Sequence, residues 1–196
     1  MTLTQSLNQI ETWLKANFST AYTALRPGLD AARFQAQMAG VPFSVPADLA
    51  EVYAWHDGMA DGLPIFAHYS FYPLAIALAE YLQNRTVSEQ LEAQHGFMSW
   101  RPERWPVLGF EGEYFVIDLQ SGAIWYHFLE DDPCYAFDSL EQIFACIATA
   151  MHQGLSQALP DGRLALDGPG FEMLRRQAVS ASGQASRLPL EQETLA

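Results

Sequence analysis

The fold is decided by residues 105–128, which read WPVLGFEGEYFVIDLQSGAIWYHF. Three aromatic and β-branched runs, typical of strands, lie in this stretch at residues 105–110, 113–118 and 123–128. The short intervals between them contain Gly112 and Gly122, and glycine suits the tight turns that join neighbouring strands. The pattern predicts an antiparallel meander of three strands, which residues 133–137 and a short run near Phe71 would extend to as many as five.

Helical patterns flank the meander on both sides. Leu3, Leu7 and Ile10 recur at helical spacing and predict an amphipathic helix over residues 3–16. Further helices are predicted at residues 29–38, 46–58, 74–82 and 171–179, whereas residues 84–104 are polar and predict an irregular segment that can contain helical turns. Another helix should begin at Asp138, where Glu141 completes a capping box. Helices placed before and after an antiparallel sheet predict an α+β fold, with the helices packed on the sheet.

The domain organisation follows from these patterns. Residues 1–160 are predicted to form a single domain, and residues 161–196 a C-terminal extension. Within the extension, residues 163–166 suggest a short strand, and residues 168–170, which read Gly-Pro-Gly, suggest a turn. Residues 180–196 are small and polar, so the end of the chain is expected to be frayed.

The charge of the chain restricts its partners. The 196 residues include 23 acidic and 10 basic side chains, and the formal net charge is −13. Such a surface repels nucleic-acid phosphates and anionic membranes, and it attracts a basic protein. Acidic charge also improves solubility, and composition alone leaves both interpretations open. The hydrophobic fraction of 49% excludes a disordered chain.

The two cysteines and the N-terminus bear on the compartment. Cys134 is predicted to lie in a strand and Cys146 on a buried helix face, so both are expected to be reduced thiols. The N-terminus has no basic region of the kind that opens a secretory signal. The longest apolar run, residues 143–150, is too short to span a bilayer. These features predict a soluble cytoplasmic protein.

The helix within residues 41–58 has an unusually clear pattern. Pro46 suits the first position of a helix, and Asp48 places negative charge in the first turn. Leu49 and Tyr53 lie one turn apart, together with Val52, and predict a buried stripe. Gly58 is predicted to end the helix in a left-handed conformation.

The same stretch resembles the signature of a known family. The matching residues are Val45, Pro46, Asp48, Leu49, Tyr53, His56, Asp57 and Gly58, and the segment they form is similar to that of the SUKH superfamily. Shorter matches follow in the family's order at residues 71–74, 105–107, 114–118, 121–124 and 137–141, so the resemblance covers residues 28–153. Gln35 is a departure, because many relatives carry a glutamate there. The superfamily includes bacterial immunity proteins and fungal cell-wall-assembly regulators.

Patterns that would indicate catalysis or a metal are incomplete. His56 and Asp57 resemble a metal-binding pair, but no second histidine lies at helical spacing to complete a site. Residues 130–132 are acidic but lack the alternate ligand spacing of a calcium loop. Ser156 is followed by Ala158 where a nucleophile elbow needs glycine. The sequence therefore predicts a protein without metal, cofactor or catalytic residues, in which Asp57 binds backbone N–H groups.

The predicted function is binding. Similarity to the SUKH superfamily implies an immunity protein that neutralises a cognate secreted toxin by covering its active site without covalent chemistry. The net charge of −13 suits a basic toxin, and nucleases are one such class. The predicted contacts lie near turns and on one strand: Asp61, Glu111, Glu113, Trp125, Glu130, Asp131 and Asp132. A regulatory protein–protein interaction scaffold is the alternative, and an unrecognised hydrolase is a third interpretation.

Overall fold

The computed structural model describes residues 1–128, 132–179, 188 and 190. Its centre is a five-stranded antiparallel sheet in the order β3-β4-β5-β6-β7. The strands are β3 (Ser70–Phe71), β4 (Arg104–Phe110), β5 (Glu113–Asp118), β6 (Ile124–Phe128) and β7 (Cys134–Phe137). The predicted α+β class, the meander and the additional strands are confirmed.

The two faces of the sheet have different surroundings, because side chains alternate along a strand. Phe115 and Tyr126 pair across β5 and β6 and belong to the main hydrophobic core. Val116 and Trp125 pair next to them but point to the opposite face, here called the outer face, where they form a second cluster with Trp100. The adjacent aromatic residues Trp125 and Tyr126 of β6 therefore have different environments.

Two amphipathic helices, α1 (Leu3–Asn17) and α6 (Leu140–His152), pack on each other. The buried stripe of α1 contains Leu3, Leu7 and Ile10, as predicted, and also Leu14. The buried stripe of α6 contains Leu140, Ile143, Phe144, Ile147 and Met151. Ser139, rather than Asp138, caps α6, and its hydroxyl accepts from the backbone N–H of Gln142 at 3.2 Å. The predicted cap was wrong by one residue, because Asp138 instead binds the side-chain amide of Gln142 and the hydroxyl of Tyr135.

The N-terminal helices continue with α2 (Ser19–Ala24), α3 (Ala31–Met38) and α4 (Ala47–Trp55). α2 and the small sheet of β1 (Leu25–Pro27) and β2 (His56–Met59) were not predicted. α4 ends at Trp55 and not at Gly58, because the backbone of His56 is already extended and pairs with Pro27.

Helix α5 (Leu74–His95) is longer than predicted. The irregular segment expected from residue 84 was wrong up to residue 95, because Asn84 and Ser88 are buried rather than solvated. The Ser88 hydroxyl accepts from the Trp100 backbone N–H at 2.9 Å and donates to its carbonyl at 3.1 Å. The helix ends at Gly96 in a left-handed conformation.

The C-terminal residues share the main core. Strands β8 (Ser156–Ala158) and β9 (Leu164–Leu166) form a hairpin around residue 160, and α7 (Gly168–Ala178) packs on α6. Leu164, Leu166 and Phe171 of the predicted extension belong to the same hydrophobic core as the residues before position 160. The expected turn at residues 168–170 is the first turn of α7.

Two further predictions concern the end of the chain and the thiols. Leu188 and Leu190 are buried in the core, so a frayed end is wrong at these two positions; the other residues after 179 lie outside the described part of the chain. Cys134 and Cys146 are free thiols in a strand and on a buried helix face, as predicted. Among the described residues, no helix has the length and apolar character needed to cross a membrane.

Candidate functional site

The family-like signature forms a joint between two parts of the chain, α4–β2 and β3–α5. Leu49, Val52 and Tyr53 are fully buried, which confirms the predicted stripe. The Tyr53 hydroxyl donates to the Tyr72 carbonyl at 3.2 Å. The Oδ1 atom of Asp57 accepts from the backbone N–H of Leu74 at 2.8 Å, and this N–H opens α5.

The glycine of the signature is required by close packing at this joint. Gly58 has a φ of +72°, and a Cβ built there would lie 2.2 Å from the nitrogen of Pro73. A larger residue would therefore separate β2 from the start of α5. Asp57 also pairs with Arg26 through Oδ2 at 3.0 Å, which ties β1 to the same joint.

The remaining signature residues also have structural contacts or surface positions. The carbonyl of Pro46 accepts from the Leu49 N–H at 3.1 Å, and Asp48 is exposed in the first turn of α4. His56 Nδ1 lies 2.7 Å from the Arg26 carbonyl, and Nε2 lies 3.5 Å from Glu11 Oε2. Within the described ranges, no three His, Cys, Asp or Glu side chains are grouped as metal ligands would be. The signature residues thus hold β2 against the start of α5, and the candidate binding site lies in another part of the fold.

Three connections meet at one end of the central sheet. The β4–β5 turn contains Glu111, and Glu113 pairs with Phe128, where the β6–β7 connection begins. The turn between Phe66 and Tyr69 leads into β3, which pairs with the last part of β4. We call this end of the sheet the hairpin end and define it by His68, Phe110, Glu111, Glu113 and Asp132.

The carboxylate of Glu113 is held by its neighbours. Its Oε2 atom accepts from the Tyr69 hydroxyl at 2.6 Å and from the Tyr126 hydroxyl at 2.8 Å. His68 Nε2 lies 3.6 Å from the same oxygen. Burial, reinforced by the Glu113 carboxylate, raises the pKa of both tyrosines, so both remain hydroxyl donors at neutral pH. The Glu113 side chain is still 30% exposed, and a partner can reach it.

An aromatic side chain stands beside this carboxylate. Phe110 is 39% exposed, and its ring centroid lies 4.7 Å from that of His68. Glu111 and Asp132 are exposed on the two connections. Phe110 and His68 were not among the predicted contacts, although an aromatic residue at the last position of a strand, next to the Glu-Gly turn, is a usable signal for Phe110.

The structure brings together only some of the predicted contacts. Glu111, Glu113 and Asp132 share the hairpin end, whereas Glu130 and Asp131 lie outside the described residues. Asp61 is exposed in a single 3₁₀ turn (Ala60–Gly62) after β2, with a φ of 59°. Trp125 lies on the outer face, where the Arg104 guanidinium is 5.2 Å from its ring centroid. Among the described contacts, Trp125 and Glu113 therefore point to opposite faces of the sheet.

The outer face also holds a buried histidine that the sequence does not single out. His127 is 1% exposed, and neither ring nitrogen has a hydrogen-bond partner in the described structure. The Trp100 ring packs against it edge-on at 4.8 Å. Burial, with a smaller effect from the positive charge of Arg104, lowers the pKa of His127 to about 4. His127 is thus neutral at physiological pH.

A search with models of known protein families finds no match, and a search of curated proteins finds none. The resemblance to the SUKH superfamily rests on the signature residues and their order along the chain.

Proposed function

We propose that this protein is an immunity protein that binds a basic toxin domain through the hairpin end and blocks the toxin's active site. The observation that carries the proposal is the grouping of exposed Phe110 with the acidic residues Glu111, Glu113 and Asp132 at one end of the sheet. The described residues of the three connections include no lysine or arginine. An acidic rim around an aromatic side chain suits a basic partner with an apolar spot.

The arrangement of Glu113 supports tight binding. Two tyrosine hydroxyls already fix its carboxylate, so less side-chain freedom is lost when a partner's arginine binds it. Phe110 would provide the apolar anchor, because buried aromatic residues contribute strongly at interfaces. The net charge of −13 would accelerate the encounter with a basic protein.

The proposed mechanism is steric and electrostatic, with no covalent step. The protein would cover the catalytic surface of the toxin and neutralise basic residues that serve the toxin's own substrate. The alternative, a regulatory scaffold, can be distinguished by experiment. A scaffold binds several client proteins and does not protect cells from a toxin.

The test is growth of cells that express a toxin encoded by the gene next to that of this protein. Growth is compared with and without this protein. We expect protection, and we expect the double variant Glu111→Lys and Asp132→Lys to lose it, because both residues are exposed and contribute little to folding. Glu89→Lys with Glu92→Lys is the matched control, since it makes the same charge change on exposed positions of α5.

The outcomes separate the parts of the proposal. Killing that is equal with and without the protein rejects the immunity function. Full protection by the Glu111 and Asp132 double variant rejects the hairpin end as the binding site. Association should also slow at higher salt, because ions screen exposed charges beyond about 10 Å at 0.1 M, and this can be measured by stopped-flow mixing.

A further inference from the structure

An apolar groove lies between α3 and α4, and none of the residues that define the hairpin end lines it. Its volume is about 570 Å³, and its lining includes Leu29, Phe34, Met38, Val45, Ala50 and Ala54. Grooves of this size fall within the range of about 300–1,000 Å³ that is usual for binding sites.

The walls and floor of the groove have a simple origin in the sequence. Ala50 and Ala54 are one turn apart on α4, and their short side chains leave space above the helix. Phe34 and Met38 are one turn apart on α3 and are buried, with the Phe34 ring centroid 5.9 Å from that of Tyr53. Because Tyr53 belongs to the signature joint, the groove is built on a fixed part of the core.

Glu51 is the charged residue among those that line the groove, and it accepts from the Thr4 hydroxyl at 2.6 Å. Asp48 lies exposed one turn before it on α4. The one basic residue of α3, Arg33, pairs with Asp30 at 3.6 Å. In the described part of the chain, neither Glu51 nor Asp48 forms a salt bridge with a basic side chain.

We propose that this groove binds a basic amphipathic helix of a partner protein. Such a helix places apolar side chains at i, i+3 and i+4 into a groove, and a lysine or arginine residue on its flank would face Glu51. The negative charge of Glu51 favours a basic helix over an acidic one. This surface is additional to the hairpin end and shares no residue with it, so either site can be rejected without the other.

The probe is a synthetic leucine–lysine peptide of about 18 residues with helical spacing of its leucines, long enough to form a helix. A peptide with glutamate in place of lysine and one with scrambled order serve as controls. Binding is measured by calorimetry, and NMR shift changes locate it. We expect the leucine–lysine helix alone to bind, with the largest changes at Leu29, Phe34 and Met38.

Matched variants test the groove itself. Ala54→Gln fills the groove without adding charge and should weaken binding by about tenfold or more, a loss of about 1.4 kcal/mol. Ala47→Gln, on an exposed position of α4 outside the groove, should leave binding unchanged. Glu51→Gln should weaken binding by about two- to fivefold, and circular dichroism confirms that each variant is folded.

Four results would overturn the proposal. Equal binding of the glutamate peptide would reject the basic partner. Equal binding of the scrambled peptide, or shift changes outside the groove, would reject the helical docking mode. Unchanged affinity in folded Ala54→Gln would reject the groove as the site.

Discussion

Replacing Asp57 tests whether the signature is a structural joint. Its carboxylate accepts from the Leu74 N–H at 2.8 Å, from Arg26 Nε at 3.2 Å, and pairs with Arg26 Nη2 at 3.0 Å. Asp57→Ala removes all three contacts and leaves the buried N–H that opens α5 without this acceptor. Losing a hydrogen bond to a charged group costs about 1.5–3 kcal/mol. The Arg26 side chain is 49% exposed, so the ion pair adds at most about 1 kcal/mol.

The expected total is a decrease of about 2–4 kcal/mol in the free energy of unfolding. Asp57→Asn keeps an oxygen acceptor for Leu74 but loses the charge, and it should cost about 1 kcal/mol. Arg26→Ala should cost no more than that. Asp48→Ala is the matched control, because Asp48 is an exposed acid of the same motif that contributes only its favourable interaction with the helix dipole, about 0.3–1 kcal/mol.

The assay is urea unfolding, with the slope of the transition compared between variants to show that the folded and unfolded states are otherwise alike. The expected order is Asp57→Ala, then Asp57→Asn, with Asp48→Ala least affected. If Asp57→Ala costs no more than Asp48→Ala, the joint does not hold β2 against α5 and the reasoning fails. If the Asp57→Ala variant remains folded but no longer binds the partner protein, the signature is a binding surface instead.

Two further predictions concern the core and the response to acid. Tyr53→Ala removes a fully buried ring packed on Phe34 and Phe71 and should cost about 3–5 kcal/mol, whereas a loss below about 1 kcal/mol in urea unfolding would contradict this packing. The pKa of His127 is about 4 in the folded protein, whereas its ordinary value, which applies in the unfolded chain, is 6.5. As the pH falls, the unfolded chain therefore binds the proton before the folded protein does. Stability should therefore decrease by about 3 kcal/mol as pH falls from 6.5 to 4, relative to His127→Phe, which lacks the titrating group. Identical pH profiles for the two proteins would show that His127 is not held neutral.

The strands could be predicted from the sequence because their signals are local. The prediction of a strand over residues 113–118 coincides with β5, where aromatic and β-branched residues lie between two glycine-containing turns. The buried stripes of α1 and α6 were predictable for the same reason, since apolar residues at helical spacing define a face without reference to the rest of the fold.

The errors arise where a residue's environment depends on distant parts of the chain. Asn84 and Ser88 look like surface residues, but their burial depends on Tyr114 and Trp100, which come later in the sequence. Gly58 has the positive φ that was predicted, but it does not end the helix, because α4 already ends at Trp55. A left-handed glycine serves equally for a helix end and for a close backbone approach, and only the position of Pro73 distinguishes the two uses.

The candidate site was only partly predictable from the sequence. Alternation of side chains along β6 explains why Trp125 does not belong to it. Tyr126 lies on the core side of β6, where its hydroxyl reaches Glu113 on the neighbouring strand, so Trp125, the adjacent residue, must point to the outer face. Alternation along β6 separates Trp125 from Tyr126 in the sequence, but the register that places Glu113 on the side of Tyr126 is seen only in the structure. The sequence could not reveal that Tyr69, which lies outside the meander, also binds Glu113.

The signature residues stabilise the framework, whereas the hairpin end is the surface proposed to contact a partner. Tyr53, Asp57 and Gly58 hold β2 against β3 and α5, and β3 in turn pairs with β4. The residues proposed to contact a partner lie on the turns at the end of this framework, where substitutions disturb the core least. Partner choice can then change through Glu111 and Asp132 while the joint stays the same. On this reasoning, exchanging the residues of the two connections should redirect binding without loss of stability, whereas changing the joint should lose stability before it alters specificity.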